Sequence, residues 1–303
     1  DQHLSARTIL LTSPRGEVVK SCPCSRGQVY CNYFIVDIYA GCTLGCSYCV
    51  MKSYLNFSPL TVYADPGPGI RRIREIASLN TNKMVRVGSG EVGDSLLLDP
   101  VFQLSADYIS GLADIPNVFF ESKTKTSFVS HLLDIPAKGN AVIGFSLNPE
   151  EIVSTEEGES AGLEERLYAA KQAAQAGFLL SFHFDPIFSG FDEAYCDLIR
   201  RLKDFRGKVA WVSLGMLRFS SSLRERIGTR QYLFAEFTES GDGKYRYLQK
   251  QRIRTYRKFI DELKESLDVP VYLCMESPAV WRYTMGSLPK DRPELEPLFT
   301  PMA

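Results

Sequence analysis

Three cysteines stand within eight positions of the sequence, in the stretch GCTLGCSYC that follows an apolar run. Cys42, Cys46 and Cys49 have the spacing C-x3-C-x2-C, with no fourth cysteine close behind them. Thiolates are soft ligands that suit zinc or iron–sulfur clusters, and structural zinc sites take four ligands. A cubane held by three thiolates leaves one iron open to an outside ligand, so the triplet predicts a site for chemistry. The alternatives are a structural metal completed by another cysteine, and unpaired thiols.

A second group of thiols precedes the triplet. Cys22, Cys24 and Cys31 lie within ten residues, in CPCSRGQVYC. They suit a second metal site, with a fourth ligand from Cys274, Cys196 or a substrate, or they supply the fourth ligand of a zinc site with the triplet. A set of free thiols is the alternative. Clustered cysteines in a long chain indicate metal binding rather than a secreted disulfide framework.

Other polar side chains stand near the ends of predicted strands. Glu91 lies in the glycine-rich stretch VGSGEVGD. The alternative to a functional role is a βα turn in which glycine supplies a positive φ. His183 and Asp185 alternate in SFHFDPI and share one face of a strand, where a hydrogen-bonded core histidine is the alternative. Arg218 follows a strand in LGMLRF and suits a carboxylate, a phosphate or a surface salt bridge. Cys274 lies on a predicted strand in YLCMES and is a candidate for chemistry. The alternative is a small buried apolar residue without a chemical role.

The stretch 243–267 combines basic and aromatic residues. They are Arg246, Lys250, Arg252, Arg254, Arg257 and Lys258, with Tyr245, Tyr247 and Tyr256. Neutralisation of a phosphate backbone and stacking of bases require this combination, but a solvated helix face explains it as well. The whole chain has a formal net charge of −1, so a nucleic-acid site has to be a local patch.

Apolar strand-like runs alternate with helical patterns along the chain. Strands are predicted at 33–39, 83–89, 117–123, 141–147, 178–187, 208–215 and 270–276. Helices are predicted near 47–57, 67–79, 100–114, 125–135, 161–176, 192–203 and 247–267. This alternation implies βαβ units with right-handed crossovers and a parallel sheet. We therefore predict an α/β fold, a partial (β/α)6-type barrel over residues 33–303 with C-terminal elements, preceded by a Cys-containing N-terminal extension over residues 1–32.

The predicted barrel places the cysteine triplet where barrels carry their chemistry, on a loop after a strand. The composition, with 45% hydrophobic residues, is ample for a buried core. No apolar run approaches the roughly 18 residues of a membrane span. The first residues, DQHLSARTIL, lack Met and an apolar signal segment, which indicates a processed terminus. A cytoplasmic protein without a membrane partner is expected.

The cysteine loop CTLGCSYC resembles that of the radical S-adenosylmethionine (SAM) superfamily. In that family the open iron of a 4Fe–4S cluster chelates the amino and carboxylate groups of SAM. Reduction of the sulfonium then releases a 5′-deoxyadenosyl radical that abstracts hydrogen from the substrate. The resemblance implies a cluster on Cys42, Cys46 and Cys49, with Tyr48 packed beside the adenine. It also implies a flavodoxin- or ferredoxin-like reductant.

Further stretches resemble the spore photoproduct lyase family over about residues 30–220. They are CSYCVMKSYLN, FFESKTK, IGFSLNP, LEERLYAAKQAAQAGFLLSFHFDPI and WVSLGMLRF. The resemblance implies that Gly90 and Glu91 hold the SAM ammonium and that Lys123 and Ser146 contact SAM. Arg218 is a further candidate for the SAM carboxylate. The alternatives are that Lys123 is a surface lysine at the end of a strand and that Ser146 is a core serine hydrogen-bonded to the backbone.

One position departs from the family pattern. Spore photoproduct lyases carry a cysteine in the loop after the second strand, which supplies hydrogen to the product thymine radical. This sequence has Gly88, Ser89, Gly90 and Glu91 there. Either the hydrogen donor lies elsewhere, with Cys274 as a candidate, or the reaction is different.

Three functions follow from these observations. The first is a radical SAM enzyme of the spore photoproduct lyase type that acts on a DNA lesion or another nucleic acid, which it has to flip out of a duplex. The second keeps the radical chemistry and changes the substrate to a small metabolite or peptide. The third is a metal-binding module without catalytic activity.

Overall fold

A computed structural model of the chain describes residues 8–14, 16–54 and 59–302. At its centre lies one sheet of eight strands with helices packed around it. The strands in the described residues are β1 (Ile9–Thr12), β2 (Val19–Ser21), β3 (Phe34–Val36), β4 (Tyr39–Ala40), β5 (Leu60–Tyr63), β6 (Val85–Ser89), β7 (Val118–Thr124), β8 (Val142–Ser146), β9 (Leu179–Ile187), β10 (Val209–Met216), β11 (Arg218–Ser220), β12 (Phe237–Glu239), β13 (Lys244–Tyr247) and β14 (Val271–Leu273).

The helices lie mostly between consecutive strands of the central sheet. They are α1 (Met51–Tyr54), α2 (Gly67–Leu79), α3 (Asp99–Phe102), α4 (Leu104–Leu112), α5 (Glu150–Glu156), α6 (Leu163–Gln175), α7 (Asp192–Arg201), α8 (Ser221–Ile227), α9 (Gln249–Ser266), α10 (Pro278–Met285) and α11 (Glu296–Phe299). Short 3₁₀ turns lie at Ser130–Leu132, Leu202–Phe205, Gln231–Phe234 and Pro289–Asp291.

The central sheet has the order β14-β10-β9-β8-β7-β6-β3-β2. The seven strands from β3 to β14 run parallel, and β2 pairs antiparallel with β3 at the edge. Every connection steps to the next strand in the same direction, which is how right-handed βαβ units build a curled barrel wall. Within the described residues β2 and β14 do not pair, so the barrel stays open. The predicted α/β partial barrel is confirmed.

The barrel wall is buried on both of its faces. All residues of β6 and β8 are buried, as parallel strands covered by helices are. The helix α6 presents three small residues, Ala169, Ala170 and Ala173, to the sheet, so its axis can approach closely. Water is therefore excluded from most of the barrel interior, and polar groups inside it have to be paired.

The predicted strand at 33–39 is wrong as a single element. The chain forms β3 in the central sheet and then β4, which pairs antiparallel with β5 in a separate three-stranded sheet. Between them Asp37 accepts a hydrogen bond from the ammonium of Lys20 at 2.6 Å. The chain bends away from the barrel wall at this point and carries the cysteine loop to the end of the barrel.

Two of the predicted helices differ from the structure. The helix predicted at 125–135 is wrong, because Thr124 and Thr126 hydrogen-bond to each other and to nearby backbone, and only a 3₁₀ turn forms at Ser130–Leu132. The helix predicted at 100–114 is interrupted at Gln103, whose φ is 54°. Of the helix predicted near 47–57 the structure shows α1, and residues 55–57 lie outside the described part.

The predicted N-terminal extension contributes to the barrel. Its strand β2 forms the edge of the central sheet, while residues 1–7 and 15 lie outside the described part. A small antiparallel sheet of β11, β13 and β12 follows β10. Among the described residues, none of the helices combines the length and the apolar character that crossing a membrane requires.

Candidate active site

The cysteine triplet lies on a loop that is fixed to the neighbouring strand ends. Gly41 forms a parallel bridge with Gly93 and donates its N–H to the Val92 carbonyl at 2.9 Å. A Cβ at position 93 would lie 2.9 Å from the Gly41 carbonyl oxygen, so glycine permits this approach. On the other side, the Ser47 N–H donates to the Glu156 carbonyl at 2.8 Å. The loop therefore has a defined position at the barrel opening.

The three thiols of this loop differ in exposure. Cys42 is exposed, Cys46 is buried and Cys49 is intermediate, and Cys42 lies within electrostatic range of the other two. Burial raises the pKa of Cys42 to about 12 and that of Cys46 to about 11. A cationic partner is needed to hold these groups as thiolates at neutral pH.

Tyr48 anchors the cysteine loop to a buried charged group. Its side chain is 6% exposed, and its hydroxyl donates to the carboxylate of Glu157. Glu157 also accepts hydrogen bonds from the Arg166 guanidinium and, at 2.7 Å, from Asn148. Burial opposes ionisation of Glu157, but Lys125 and Arg166 outweigh it and lower its pKa to about 2. We call residues 41–50, together with Glu157 and its partners Asn148 and Arg166, the cluster side of the opening.

The turn after β6 is tied to the end of β7. Ser95 Oγ accepts the Lys123 N–H at 3.0 Å, and the Ser95 N–H donates to the Lys123 carbonyl at 3.1 Å. Asp94 accepts the Lys125 N–H at 2.7 Å. Gly90 has a φ of 89°, and a Cβ there would lie 2.7 Å from Ser95 Oγ. The backbone of this turn, which carries Glu91, is thus held firmly beside the cysteine loop.

Two lysines at the end of β7 point to different sides of the opening. The Lys123 ammonium faces the interior, where burial lowers its pKa but nearby acidic groups outweigh this and raise it. These groups are Glu91, Glu121, Cys22 and Cys274. Lys125, which the sequence analysis missed, lies on the cluster side, with Nζ 5.9 Å from the centroid of the Tyr48 ring and within electrostatic range of Cys46 and Glu157. Its place directly after β7 was the available signal.

A carboxylate–imidazole pair lies inside the barrel. Glu121 Oε1 on β7 is 2.6 Å from His183 Nε2 on β9, and the carboxylate also accepts the hydroxyls of Ser181 and Tyr33. Burial alone would raise the pKa of Glu121, but His183 and then Lys123 outweigh it and lower the pKa. His183 is 4% exposed. Its alternative interpretation, a hydrogen-bonded core histidine, matches the structure.

Arg218 is engaged by a protein carboxylate. Its guanidinium donates to both oxygens of Asp185, at 2.9 and 3.2 Å. Burial opposes ionisation of Asp185, but Arg218 outweighs it and lowers the pKa of that carboxyl. The thiol of Cys274 lies 4.0 Å from Arg218 Nη2 and hydrogen-bonds to Asp185. An anionic ligand at Arg218 has to compete with Asp185.

Ser146 ends β8 opposite His183 in the sheet register. Its side chain is 7% exposed, and its carbonyl accepts a hydrogen bond from Arg166 at 2.9 Å. Arg166 thus ties the end of β8 to Glu157 under the cysteine loop. The SAM contact of Ser146, like that of Tyr48, stays a prediction.

The N-terminal thiols converge on the opposite edge of the opening. Cys22, Cys24 and Cys31 lie within electrostatic range of one another, and Cys22 and Cys31 of Cys274. Cys24 Sγ is 3.4 Å from Met275 Sδ. We call residues 22–31 together with Cys274 the thiol side of the opening. In the part of the chain that the structure describes, no group of three or more His, Cys, Asp or Glu side chains is arranged to hold a metal ion. The predicted second metal site is therefore not supported.

A cubane places a different demand on the cysteine triplet than a single metal ion does. Each thiolate of a cubane binds a different iron atom, so the three sulfur atoms need not converge on one point. Cys42, Cys46 and Cys49 share one loop, and Lys125 places a cation beside Cys46. The number and chemical type of these ligands fit a 4Fe–4S cluster with one open iron.

Comparison with known proteins identifies the family of the chain. A family profile described as spore photoproduct lyase matches residues 25–233, more than half of the chain. The chain belongs to the spore photoproduct lyase family. The curated spore photoproduct lyase of Geobacillus sp. (strain Y412MC61) is 25% identical over 175 residues, and that of Bacillus subtilis (strain 168) is 24% identical over 174. Each alignment covers 56% of this chain and 50% of the relative, so the matched region spans half the length of these relatives.

Solved structures of spore photoproduct lyases share the fold. A cysteine-to-alanine variant with dinucleoside spore photoproduct superposes with a TM-score of 0.76 at 20% identity, over 89% of this chain and 82% of that one. A double variant with bound AdoMet and dinucleoside spore photoproduct gives 0.73 at 20% identity, over 88% and 82%. The likeness confirms the predicted partial barrel.

In this member of the spore photoproduct lyase family, the structure gathers most of the predicted polar residues at one opening. Cys196 is the exception among the cysteines, because it is buried on α7 and lies near Lys258 and Glu262 instead. The basic stretch 243–267 is also divided. Arg246 is buried against Asp242 at 2.6 Å, whereas Lys250 and Arg254 are exposed on α9. A nucleic-acid role of this stretch rests on the exposed residues alone.

Proposed function

We propose that this protein is a radical SAM enzyme that repairs a thymine lesion in DNA. A 4Fe–4S cluster on Cys42, Cys46 and Cys49 and bound SAM would supply a 5′-deoxyadenosyl radical for hydrogen abstraction from the substrate. The observation that carries the proposal is the three-thiol loop held at the carboxyl ends of parallel strands in an open barrel. A low-potential reductant of the flavodoxin or ferredoxin class delivers the electron.

The family supports the choice of a DNA lesion as substrate. Solved spore photoproduct lyases hold dinucleoside spore photoproduct, and one holds it together with AdoMet. The same barrel in this chain leaves an opening bordered by the cluster side and the thiol side. The exposed Lys250 and Arg254 on α9 are the residues of the basic stretch that remain free to meet a phosphate backbone.

On the cofactor side the proposal gives the chain's own residues binding and orienting roles. Gly90 and Glu91 hold the SAM ammonium, because the turn that carries them is fixed next to the cysteine loop. Lys125 binds the SAM carboxylate, because its ammonium faces Cys46. Lys123 faces Glu91 and positions that carboxylate toward the SAM ammonium.

On the substrate side the barrel interior supplies paired charges and thiols. Arg218 and Asp185 form a bidentate pair at the end of β9 and β10, and they position polar groups of a substrate. Cys274 lies beside them, and its predicted role as hydrogen donor stays a candidate. The buried strands behind these groups exclude water, which protects a radical from side reactions.

The proposal is tested with protein reconstituted anaerobically with iron and sulfide. We expect about four irons per chain, SAM-dependent formation of 5′-deoxyadenosine with dithionite, and thymine release when dinucleoside spore photoproduct is added. Cys46→Ala should lose all three, while Cys196→Ala, a thiol far from the opening, should keep them. Iron binding without 5′-deoxyadenosine in the native protein contradicts the proposal.

A second candidate function is radical chemistry on a small metabolite or peptide. It is favoured by the charged interior of Glu121 with His183 and Asp185 with Arg218, and by a turn after β6 that begins at Gly90 and contains no cysteine. Formation of 5′-deoxyadenosine without thymine release, together with negligible DNA affinity at low salt, selects this function. Zinc in place of iron, together with no SAM binding, would instead indicate a metal-binding module without catalytic activity.

A further inference from the structure

We propose that Cys22 is the thiol that returns a hydrogen atom to the substrate-derived radical. This inference rests on the proposed function. It assigns the hydrogen donor, which the turn after β6 does not contain, to a residue elsewhere in the chain. The sequence suggests a metal ligand or a free thiol at Cys22. Its position in the fold gives it a different role.

The backbone of Cys22 is fixed so that its side chain faces the barrel interior. Its N–H donates to the Tyr33 carbonyl at 2.8 Å, which extends the β2–β3 pairing by one residue beyond Ser21 and Phe34. Residues directly opposite on paired strands point to the same face of the sheet. Tyr33 points inward, since its hydroxyl donates to Glu121. The Cys22 thiol therefore points inward as well.

The thiol of Cys22 lies beside the turn that follows β6. Among charged groups, Glu91 in that turn is the strongest neighbour of Cys22, and Lys123 is the nearby cation. The turn itself offers no thiol, and Tyr33 occupies the space above Gly88, where a Cβ would lie 1.7 Å from its hydroxyl oxygen. Cys22, which belongs to the N-terminal segment, thus brings a thiol next to Glu91, where the turn has none.

The chemistry of the step requires a weak bond to hydrogen close to the substrate. A carbon-centred radical takes the hydrogen atom from the Cys22 S–H: a C–H bond forms, the S–H bond breaks, and a thiyl radical remains on the sulfur. One electron from the flavodoxin- or ferredoxin-class reductant and one proton from solvent restore the thiol. Cys31 and Cys274 lie within electrostatic range of Cys22. The thiyl radical can therefore also take a hydrogen atom from either of these two thiols.

The protonation state of the thiol side suits this role. Burial raises the pKa of Cys22 and Cys274, and it raises that of Cys24 to about 11. These groups keep their S–H at neutral pH, and the S–H is the species from which a hydrogen atom leaves.

The other thiols of this side are engaged elsewhere. Cys274 hydrogen-bonds to Asp185 and lies 4.0 Å from Arg218 Nη2. Cys24 Sγ lies 3.4 Å from Met275 Sδ and 3.8 Å from the carbonyl oxygen of Val29. Cys22 is the thiol whose nearest charged neighbours, Glu91 and Lys123, belong to the proposed SAM region. It therefore lies beside the region in which we propose that SAM binds.

The test follows hydrogen from solvent into product. Reconstituted enzyme, SAM, dithionite and dinucleoside spore photoproduct are combined in D2O, where thiol protons exchange for deuterium. Wild type should release thymine with one solvent-derived deuterium. Cys22→Ser keeps the size and polarity of the side chain but has an O–H bond too strong to donate, so labelled thymine should fall by at least about tenfold while 5′-deoxyadenosine is still formed. Cys196→Ser is the matched control.

Each outcome separates this inference from the function on which it rests. Unchanged labelling in Cys22→Ser, or loss of label only in Cys274→Ser, overturns the role of Cys22 and leaves the proposed function intact. Absence of thymine release from wild type overturns both. As a readout independent of turnover, the dinucleoside should slow amide hydrogen exchange of the segment around Cys22 in the reconstituted protein, measured by peptide mass spectrometry. Equal exchange with and without the dinucleoside also contradicts the proposal.

Discussion

The two sides of the barrel opening are held in place in contrasting ways. On the cluster side, the loop rests on Glu157, which accepts hydrogen bonds from Tyr48, Asn148 and Arg166, all of them buried. On the thiol side, residues 22–31 are docked by a few contacts. The Val29 N–H donates to the Glu276 carbonyl at 2.9 Å and Arg86 donates to the Cys31 carbonyl at 2.7 Å, whereas the thiols add only weak hydrogen bonds.

This contrast matches two different chemical demands. A metal cluster needs ligands that stay in one arrangement, and buried charged hydrogen bonds supply that rigidity. A segment that delivers a thiol to a substrate has to admit that substrate first, and weak contacts allow local opening at low cost in free energy. The cluster side should therefore respond strongly to single substitutions, and the thiol side should respond weakly in stability.

The largest effect is expected from the cysteine ligands themselves. Cys46→Ala removes one of three thiolates, so iron bound after reconstitution should fall to background and 5′-deoxyadenosine should disappear. Cys22→Ala on the thiol side should leave iron content unchanged, because no second metal site is supported. Iron and sulfide analysis of both variants checks this. A Cys22→Ala protein that loses half of its iron would revive the second site and break the comparison.

The next effect concerns the buried charge beneath the cysteine loop. Glu157→Gln leaves the Arg166 guanidinium buried without its counter-charge, which should lower the free energy of unfolding by about 3–5 kcal/mol. Urea denaturation of the protein before reconstitution measures it. Arg166→Met combined with Glu157→Gln should recover part of the loss, since both charges are then removed.

The same carboxyl gives the stability a dependence on pH with a defined sign. The pKa of Glu157 in the folded protein, about 2, lies below its unfolded value of about 4.3. Its contribution is therefore complete above pH 4.3 and is lost as the pH falls through about 2. Wild type should lose stability over this window, and Glu157→Gln should show a shallower decline. Parallel curves for the two proteins would contradict the assignment.

A smaller effect distinguishes the two lysines after β7. Lys125→Met should weaken SAM binding to the reconstituted protein by about ten- to hundredfold, the range of a hydrogen bond to a charged group. Lys123→Met should change SAM affinity less, because Lys123 faces Glu91 and the thiols. Equilibrium binding of SAM measures both. The reverse order would restore the sequence-based assignment of Lys123 as the contact to SAM.

The barrel and the cysteine ligands were predictable because their signals are local. Apolar runs and helical patterns placed five strands of the parallel sheet, β6 to β10, within about two residues. The break between β3 and β4 was not predictable, since it depends on pairing with β5 and on Lys20 reaching Asp37. Short elements such as β2 and β11 carry too few residues for a periodic pattern.

The polar partners of the site escaped prediction because they are distant in sequence. Glu157 meets Tyr48 across 109 residues, and Cys24 meets Met275 across 251. Alternation on β9 showed that His183 and Asp185 share a face, but not that Glu121 pairs with one and Arg218 with the other. Propensity and spacing describe neighbours along the chain, and these contacts are set by how the barrel closes.

The smallest effect tests how loosely the thiol side is held. Lys244 Nζ donates to Ser25 Oγ at 2.9 Å and attaches residues 22–31 to β13. Burial, with Arg218 nearby, lowers the pKa of Lys244. Lys244→Met should cost about 1 kcal/mol of local stability, and trypsin cleavage after the exposed Arg26 should become about fivefold faster.

Limited proteolysis of this variant sharpens the comparison when iron content is measured on the same samples. Cluster loading should not change, because the contact lies on the thiol side, and Lys258→Met, which removes an exposed ion pair with Glu193, should leave cleavage after Arg26 unaltered. If Lys244→Met leaves that cleavage rate unchanged, the segment is fixed by its backbone contacts with β3 and β14, and both sides of the opening are equally rigid. If iron loading falls as well, the two sides are energetically coupled, and a substrate that moves the thiols would also reach the cluster.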